Sequence, residues 1–278
     1  MVNVVIDYVQ HGPMTFLDPG QHWLLDGLPD DPVSICASAR SLVLSPEDAT
    51  AAGVPKDRLK EQNIRPVRDL LAVLSRLWPE RLVSPRPLEA RVVGTTRHSA
   101  TLACSLLRAR GYAARVRCGF RTATGRQTPP MRWTAEWWSA CDERWIRMDP
   151  DPAGTGAPAG AAEASIDFVT AGETWQLYRN GSLDRRGSKA PGTDSAHMAP
   201  GISAGVVLDL AALCKLEMLP TDRWGRMAVP QHGFTSAAYP HLIDVVASHC
   251  VRDEPAGLAR LFASADLAVP PHLIEPPL

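Results

Sequence analysis

Hydroxyl, imidazole and carboxylate groups gather in two stretches of this 278-residue chain. The first, Gly94-Thr95-Thr96-Arg97-His98-Ser99-Ala100, stands at the start of a predicted helix; the second puts Arg132, Glu136 and Asp149 on predicted strands. A helix N-terminus offers amide donors and the positive end of a dipole, which favour a thiolate or an oxyanion. No cysteine occupies it here. Thr96 offers a hydroxyl that is barely ionised at neutral pH, and it lies inside the chain, away from the terminal amine that serves threonine nucleophiles as base. Its plainer reading is a helix cap or first-turn residue. His98 follows two residues later, roughly 200° round a helix, so the two do not share a face; alone, it reads as a surface or satisfied histidine. Glu136 is the one acid on its strand face, an acid or base if desolvated and otherwise a partner for Arg132.

The cysteines add no second chemistry. Cys36, Cys104, Cys118, Cys141, Cys214 and Cys250 lie far apart with no CxxC pair, whereas a disulfide framework or a zinc site needs tighter spacing. No metal and no cofactor is expected, and Cys104 and Cys118 read as core residues. Apolar residues make up 45% of the chain and the net charge is −1, with no basic stripe. Nucleic acid and anionic membranes are therefore poor partners. No apolar stretch is long enough to span a bilayer, and the first residues are too short and acidic a run for a secretory signal. The expectation is a reduced, soluble, cytoplasmic protein.

The elements that must position these groups are legible in outline. Asp18-Pro19-Gly20 and the stretch from Gly27 to Pro32 are turns, with His22 to Leu25 forming one or two helical turns between them. Val67, Leu70, Leu71, Leu74 and Leu77 make one helical stripe between Pro66 and Trp78, started by Pro66 and stopped by Pro79. The helix presenting Thr96 runs to about Arg110, with Ala100, Ala103, Cys104 and Leu107 on one face and Gly111 as its stop. Ala114, Val116, Cys118 and Phe120 then alternate with Arg115, Arg117 and Gly119, the pattern of a half-buried strand. Arg132 to Ser139 and Arg144 to Asp149 read as two more strands around the turn Cys141-Asp142-Glu143. A helix followed by antiparallel strands indicates an α+β fold. Residues 150–164 read as a linker or long loop, Val206 to Leu219 as an amphipathic helix closed by Pro220, and the proline-rich tail from Pro270 as extended.

Taken in order, these segments resemble the transglutaminase-like superfamily. The match lies in Gly94-Thr95-Thr96-Arg97-His98, in Leu106-Leu107-Arg108-Ala109-Arg110-Gly111-Tyr112-Ala113-Ala114-Arg115, in Arg132-Trp133-Thr134-Ala135-Glu136 and in Trp145-Ile146-Arg147-Met148-Asp149-Pro150. Further similarity to full-length actinobacterial-type members runs through Arg117-Cys118-Gly119-Phe120, Leu208-Asp209-Leu210 and Trp224-Gly225. The resemblance implies a papain-like, α+β core with a helix packed on an antiparallel sheet. It also implies one domain over 1–278, with a core at about 62–150 and flanking segments, 1–61 and 165–278, packed on it. In such a core a cysteine at the helix N-terminus, a histidine and an aspartate form the triad. Here those positions fall on Thr96, Arg132 and Asp149, and His98 stands where an aspartate commonly follows. A guanidinium stays protonated, so Arg132 is no base and thiol-based acyl transfer is lost.

Three functions follow from that reading. The first is a redeployed pocket acting non-covalently on a small carboxylate- or amide-containing metabolite, in the manner of specialised metabolism. His98, Glu136 or Asp149 would serve acid–base steps there, and Arg132, Trp133, Trp138 and Thr95 would bind the ligand. The second is a pseudoenzyme that binds or scaffolds; its partner, like that of the first, is a small-molecule or peptide-like ligand. The third is an amidase or acyltransferase with a displaced nucleophile. His232 and His241, expected in loops near Trp224-Gly225, are further candidates to reach the pocket.

Overall fold

Thr96 sits at the head of a long buried helix in a computed structural model that describes residues 6–121, 130–148, 168–183, 199–228 and 238–274. The chain divides into two compact units, one built on 7–116 and 133–148, the other on 117–121, 130–132 and the described residues beyond 166.

The first unit opens with a 3-10 turn, Pro19–Leu25. Helix α1 (Pro32–Ser41) follows, started by the Asp31 carboxylate accepting the Ser34 N–H at 2.8 Å, as N-cap residues do. Then come β1 (Val43–Leu44), α2 (Pro46–Ala51), α3 (Val67–Leu77), β2 (Val92–Val93) and α4 (Thr96–Ala109). β1 and β2 pair in parallel, Val43 with Val92 and Leu44 with Val93. The expected stripe of α3 is its buried face: Val67, Leu70, Leu71 and Leu74 are all enclosed. Its exposed carbonyl end is closed by Arg86, whose Nη1 donates to the Leu74 and Trp78 carbonyls at 3.0 and 3.1 Å.

Helix α4 is the centre of this unit, buried from Arg97 to Arg108. Gly111, at φ +83°, ends it in the left-handed conformation that glycine adopts without strain. Arg108 is buried, and its guanidinium donates to the carbonyls of Tyr8 and Ala114 and to the Thr15 hydroxyl. Three strands follow: β3 (Ala114–Arg121), β4 (Met131–Ser139) and β5 (Arg144–Met148). β4 and β5 form an antiparallel hairpin in register from Ala135↔Met148 to Ser139↔Arg144, and the Trp138 N–H reaches the Ala113 carbonyl at 2.9 Å.

The sequence pattern of β3 suggests one wet face, but both faces are buried. The arginines on the supposedly exposed side are each neutralised by a distant acid. Arg115 donates to Glu136 at 2.8 Å, and Glu136 takes Arg147 on its other oxygen at 2.8 Å. The Arg115 guanidinium also lies over the Trp145 ring, 3.9 Å from its centroid.

In the second unit the far half of β3 pairs antiparallel with β6 (Phe168–Thr170), from Gly119↔Thr170 to Arg121↔Phe168. Helix α5 (Ala171–Arg179) starts directly after it, boxed by Thr170 and Glu173, a reciprocal cap. The remaining helices are α6 (Ala199–Leu213), α7 (Ala238–Arg252), α8 (Pro255–Phe262) and the single turn α9 (Pro271–Ile274). At 271–274 the turn α9 stands where extended chain was expected, since a proline fits the first helical position; the rest of that tail lies outside the described residues.

Helix α6 corrects the expected amphipathic helix at Val206 to Leu219. It is already helical at Ala199 and ends at Leu213, because Lys215 turns left-handed at φ +66° and the Leu216 N–H caps the Ala211 carbonyl at 2.8 Å. It is also enclosed all round: every residue from Ile202 to Leu213 is buried. Gly205 permits this, since a Cβ there would lie 2.7 Å from the Phe120 ring. Asp209, wholly buried in mid-helix, takes Arg117 Nε at 3.0 Å and Nη2 at 2.8 Å, and the Cys118 N–H at 2.7 Å. Among the described residues no helix is long and apolar enough to cross a membrane.

Breaking a buried ion pair on one side strands the other charge. Asp209→Ala should therefore lower the free energy of unfolding in urea by about 3–5 kcal/mol. Arg117→Met combined with Asp209→Leu should recover part of that loss. Equal destabilisation by the single and double variants would mean that helix packing, not the ion pair, holds α6.

Candidate functional site

The chain enters the site through a fixed strand. The Val93 N–H donates to the Glu61 carboxylate at 2.9 Å, and Arg58 holds the same carboxylate with Nε at 2.7 Å. The Gly94 N–H then bonds the Leu44 carbonyl at 2.9 Å. Gly94 must lack a side chain: a Cβ there would meet His98 Cγ at 2.8 Å. Thr95 is the N-cap of α4 and Thr96 its first residue, so the cap role weighed for Thr96 belongs to its neighbour.

His98 is neither on the surface nor available as a base. Its ring is fully buried. Nε2 lies 3.1 Å from the Ile64 carbonyl, which can only accept, so Nε2 carries the proton. Nδ1 is then the acceptor, taking the Thr95 N–H at 3.0 Å and lying 3.2 Å from the Thr95 hydroxyl. The imidazole thus does the work that a glutamate does in a capping box. Burial, reinforced by the charge of Arg97, pushes its pKa down to about 3.

Thr96 is half-buried, and its Oγ1 accepts the backbone N–H of Trp133 at 3.2 Å. The head of α4 is thereby fastened to β4 at the residue that follows Arg132. Arg132 is itself half-buried, and Asp149 lies outside the described residues, as does His232. Trp133 is 1% exposed, and its indole N–H meets no acceptor among the described residues. Trp138 does not join this group. It stands five residues further along β4, roughly 17 Å at strand rise, edge-on to Trp145 with ring centroids 5.6 Å apart. Glu136 is 2% exposed with both oxygens held by Arg115 and Arg147, a sheet-locking role rather than a pairing with a free cleft. His241 is exposed in helix α7, not in a loop.

Four of the six thiols are pushed up by burial, Cys36 and Cys214 to about 12 and Cys118 and Cys250 well above the usual thiol range. Cys36 faces Ser99, Ala103, Ala135 and Met148 across a void of about 10 Å³, room for no more than a water. Cys141 is exposed in the β4–β5 turn. Among the described residues no three His, Cys, Asp or Glu side chains cluster to hold a metal.

Compared with known proteins, residues 80–150, about a quarter of the chain, match the transglutaminase-like superfamily. No curated protein matches the sequence. A solved structure of a candidate cysteine protease from Cytophaga hutchinsonii is 19% identical, with 60% of this chain and 52% of that one covered and a TM-score of 0.20. This chain thus spans about half the length of that protein, and so loose a likeness transfers nothing further.

The buried, neutral His98 generates a pH prediction. Its folded pKa is depressed below the ordinary value of 6.5, so between the two the unfolded chain binds the extra proton. The stability it confers is full above 6.5 and is lost as pH falls toward 3, by up to about 1.4 kcal/mol per pH unit. His98→Asn, which keeps an acceptor near Nδ1, should melt lower at pH 7.5 and lose less stability between pH 7 and 5 than the parent. Parallel melting curves with pH would contradict the assignment.

Proposed function

With a transglutaminase-like core at residues 80–150 as the premise, we propose that this chain holds a small molecule bearing a carboxylate or amide oxygen at the N-terminal end of α4, without covalent chemistry. The observation that carries this reading is Trp133, whose backbone N–H bonds the Thr96 hydroxyl while its buried indole N–H lacks an acceptor among the described residues. A buried donor left unpaired costs about 1–3 kcal/mol, and an acceptor oxygen brought by a ligand removes that cost. Arg132, which the resemblance puts at the superfamily's histidine position, carries a permanently charged fork of the kind that suits two-point contact with a carboxylate.

Among the described residues the groups expected to do catalysis are engaged elsewhere or unsuited to it. By the resemblance, Thr96 and Arg132 take the superfamily's thiol and imidazole positions, and neither can replace those groups. His98 and Glu136, expected to serve acid–base steps, have their polar atoms engaged in the cap and in the sheet. What remains supports a binding protein on an acyl-transfer fold. Six free thiols fit a reducing compartment such as the cytoplasm.

Two measurements test this. Amine incorporation into a glutamine peptide should stay at background, with or without iodoacetamide; incorporation that iodoacetamide abolishes would contradict the loss of thiol chemistry. In calorimetry with succinate, N-acetylglycine and glutamine as probes, Arg132→Lys and Trp133→Phe should each weaken binding about tenfold, about 1.4 kcal/mol. The Arg132→Lys melting temperature should barely move. A large drop in melting temperature with unchanged binding would assign Arg132 to the fold alone.

A further inference from the structure

At the opposite end of α4 the first unit carries a groove of about 640 Å³ that the binding site at Thr96 does not involve. Thirteen residues of helix, roughly 20 Å of rise, separate Thr96 from the Ala109-Arg110 pair on its wall. The volume falls in the range of small-molecule sites, about 300–1,000 Å³. Its apolar side is Phe16, Leu17 and Leu25, and Phe16, 45% exposed, presents ring surface there.

The polar side is basic. His11, His22, Arg108 and Arg110 line it against the single carboxylate of Asp26, and Asp26 has Arg81 3.8 Å away. Arg108 is held in place by backbone carbonyls, so it shapes the field rather than reaching out. Arg110 is different. Its Nη2 donates to the Leu28 carbonyl and its Nε lies 3.7 Å from the exposed Asp30, while among the described residues no acceptor reaches Nη1. His22 is exposed on the 3-10 turn and has no partner among the described residues.

We propose that this groove binds a small organic anion carrying an apolar ring. The ring covers Phe16 and the two leucines, and the anionic head meets Arg110 and His22. Burial of the ring supplies the non-directional part of the binding, and the guanidinium selects the charge. Asp26 and Asp30 set the limit of that selection, since they disfavour a ligand with a second anionic group near the rim.

The test is equilibrium binding of 2-naphthoate to the full chain, followed by calorimetry beside its uncharged analogue 2-naphthamide. The parent should bind the acid at least tenfold more tightly than the amide. Phe16→Ala, Arg110→Gln and His22→Gln should each weaken 2-naphthoate several-fold or more, with His22→Gln informative even if Arg110→Gln lowers the melting temperature. The component of 2-naphthoate binding that Phe16→Ala removes should be the same in Arg132→Lys as in the parent, which separates this groove from the site at the other end of the helix. Equal affinity for acid and amide, parental binding in all three groove variants, or a loss confined to Arg132→Lys would each overturn the proposal.

Discussion

The head of α4 depends on one imidazole. His98 accepts the Thr95 N–H with one ring nitrogen and donates to the Ile64 carbonyl with the other, so it closes the first turn and ties that turn to the segment before α3. The requirement propagates outward. Gly94 must be bare to admit the ring, β2 must deliver Gly94 at the right place, and Arg58 with Glu61 hold β2. Downstream, the fixed first turn presents the Thr96 hydroxyl to β4. A group that would serve as a base elsewhere is here a structural cap, and the chemistry open to the site follows from that.

A second pattern runs through both units: arginine is used as an internal tie. Arg86 closes α3, Arg108 joins the N-terminal segment to the start of β3, and Arg117 seats Asp209 inside α6. A planar fork with five donors can satisfy several carbonyls or a whole carboxylate at once, which lets a charged side chain sit where solvent does not reach. The Arg115–Glu136–Arg147 arrangement does the same within the sheet. Such ties stabilise little against well-packed apolar residues, but they demand one particular register of strands and helices.

The parts of this design that were legible in the sequence are those written in local spacing. The stripe of α3 and the glycine stop of α4 place both helices to within about a residue, as amphipathic period and a left-handed glycine should. What local spacing could not carry was long-range partnership. Arg115 and Arg117 look solvent-facing because their acids lie 21 and 92 residues away. Helix α6 was misbounded because a helix buried on every side has no period to read, and the apolar run continues past the left-handed Lys215. Glu136 was offered as an acid–base group because neither of its arginines announces itself in sequence. Thr95-Thr96-Arg97-His98 does hold a readable signal, the three-residue spacing of a capping box, with histidine in the place of glutamate. The order of motifs pointed to the transglutaminase-like superfamily, whose model matches residues 80–150, where the order of elements alone reached only the α+β class.

The claim on which all of this turns is that His98 is a neutral, Nε2-protonated cap with a pKa pushed down to about 3. Nitrogen-15 NMR of the imidazole rings, with the His98 signals identified by their loss in His98→Asn, reads tautomer and protonation directly. The account predicts an Nε2–H tautomer whose shifts stay constant from pH 8 down to pH 5. A ring protonated on Nδ1, or one that titrates near 6.5, would free His98 as a base and contradict it.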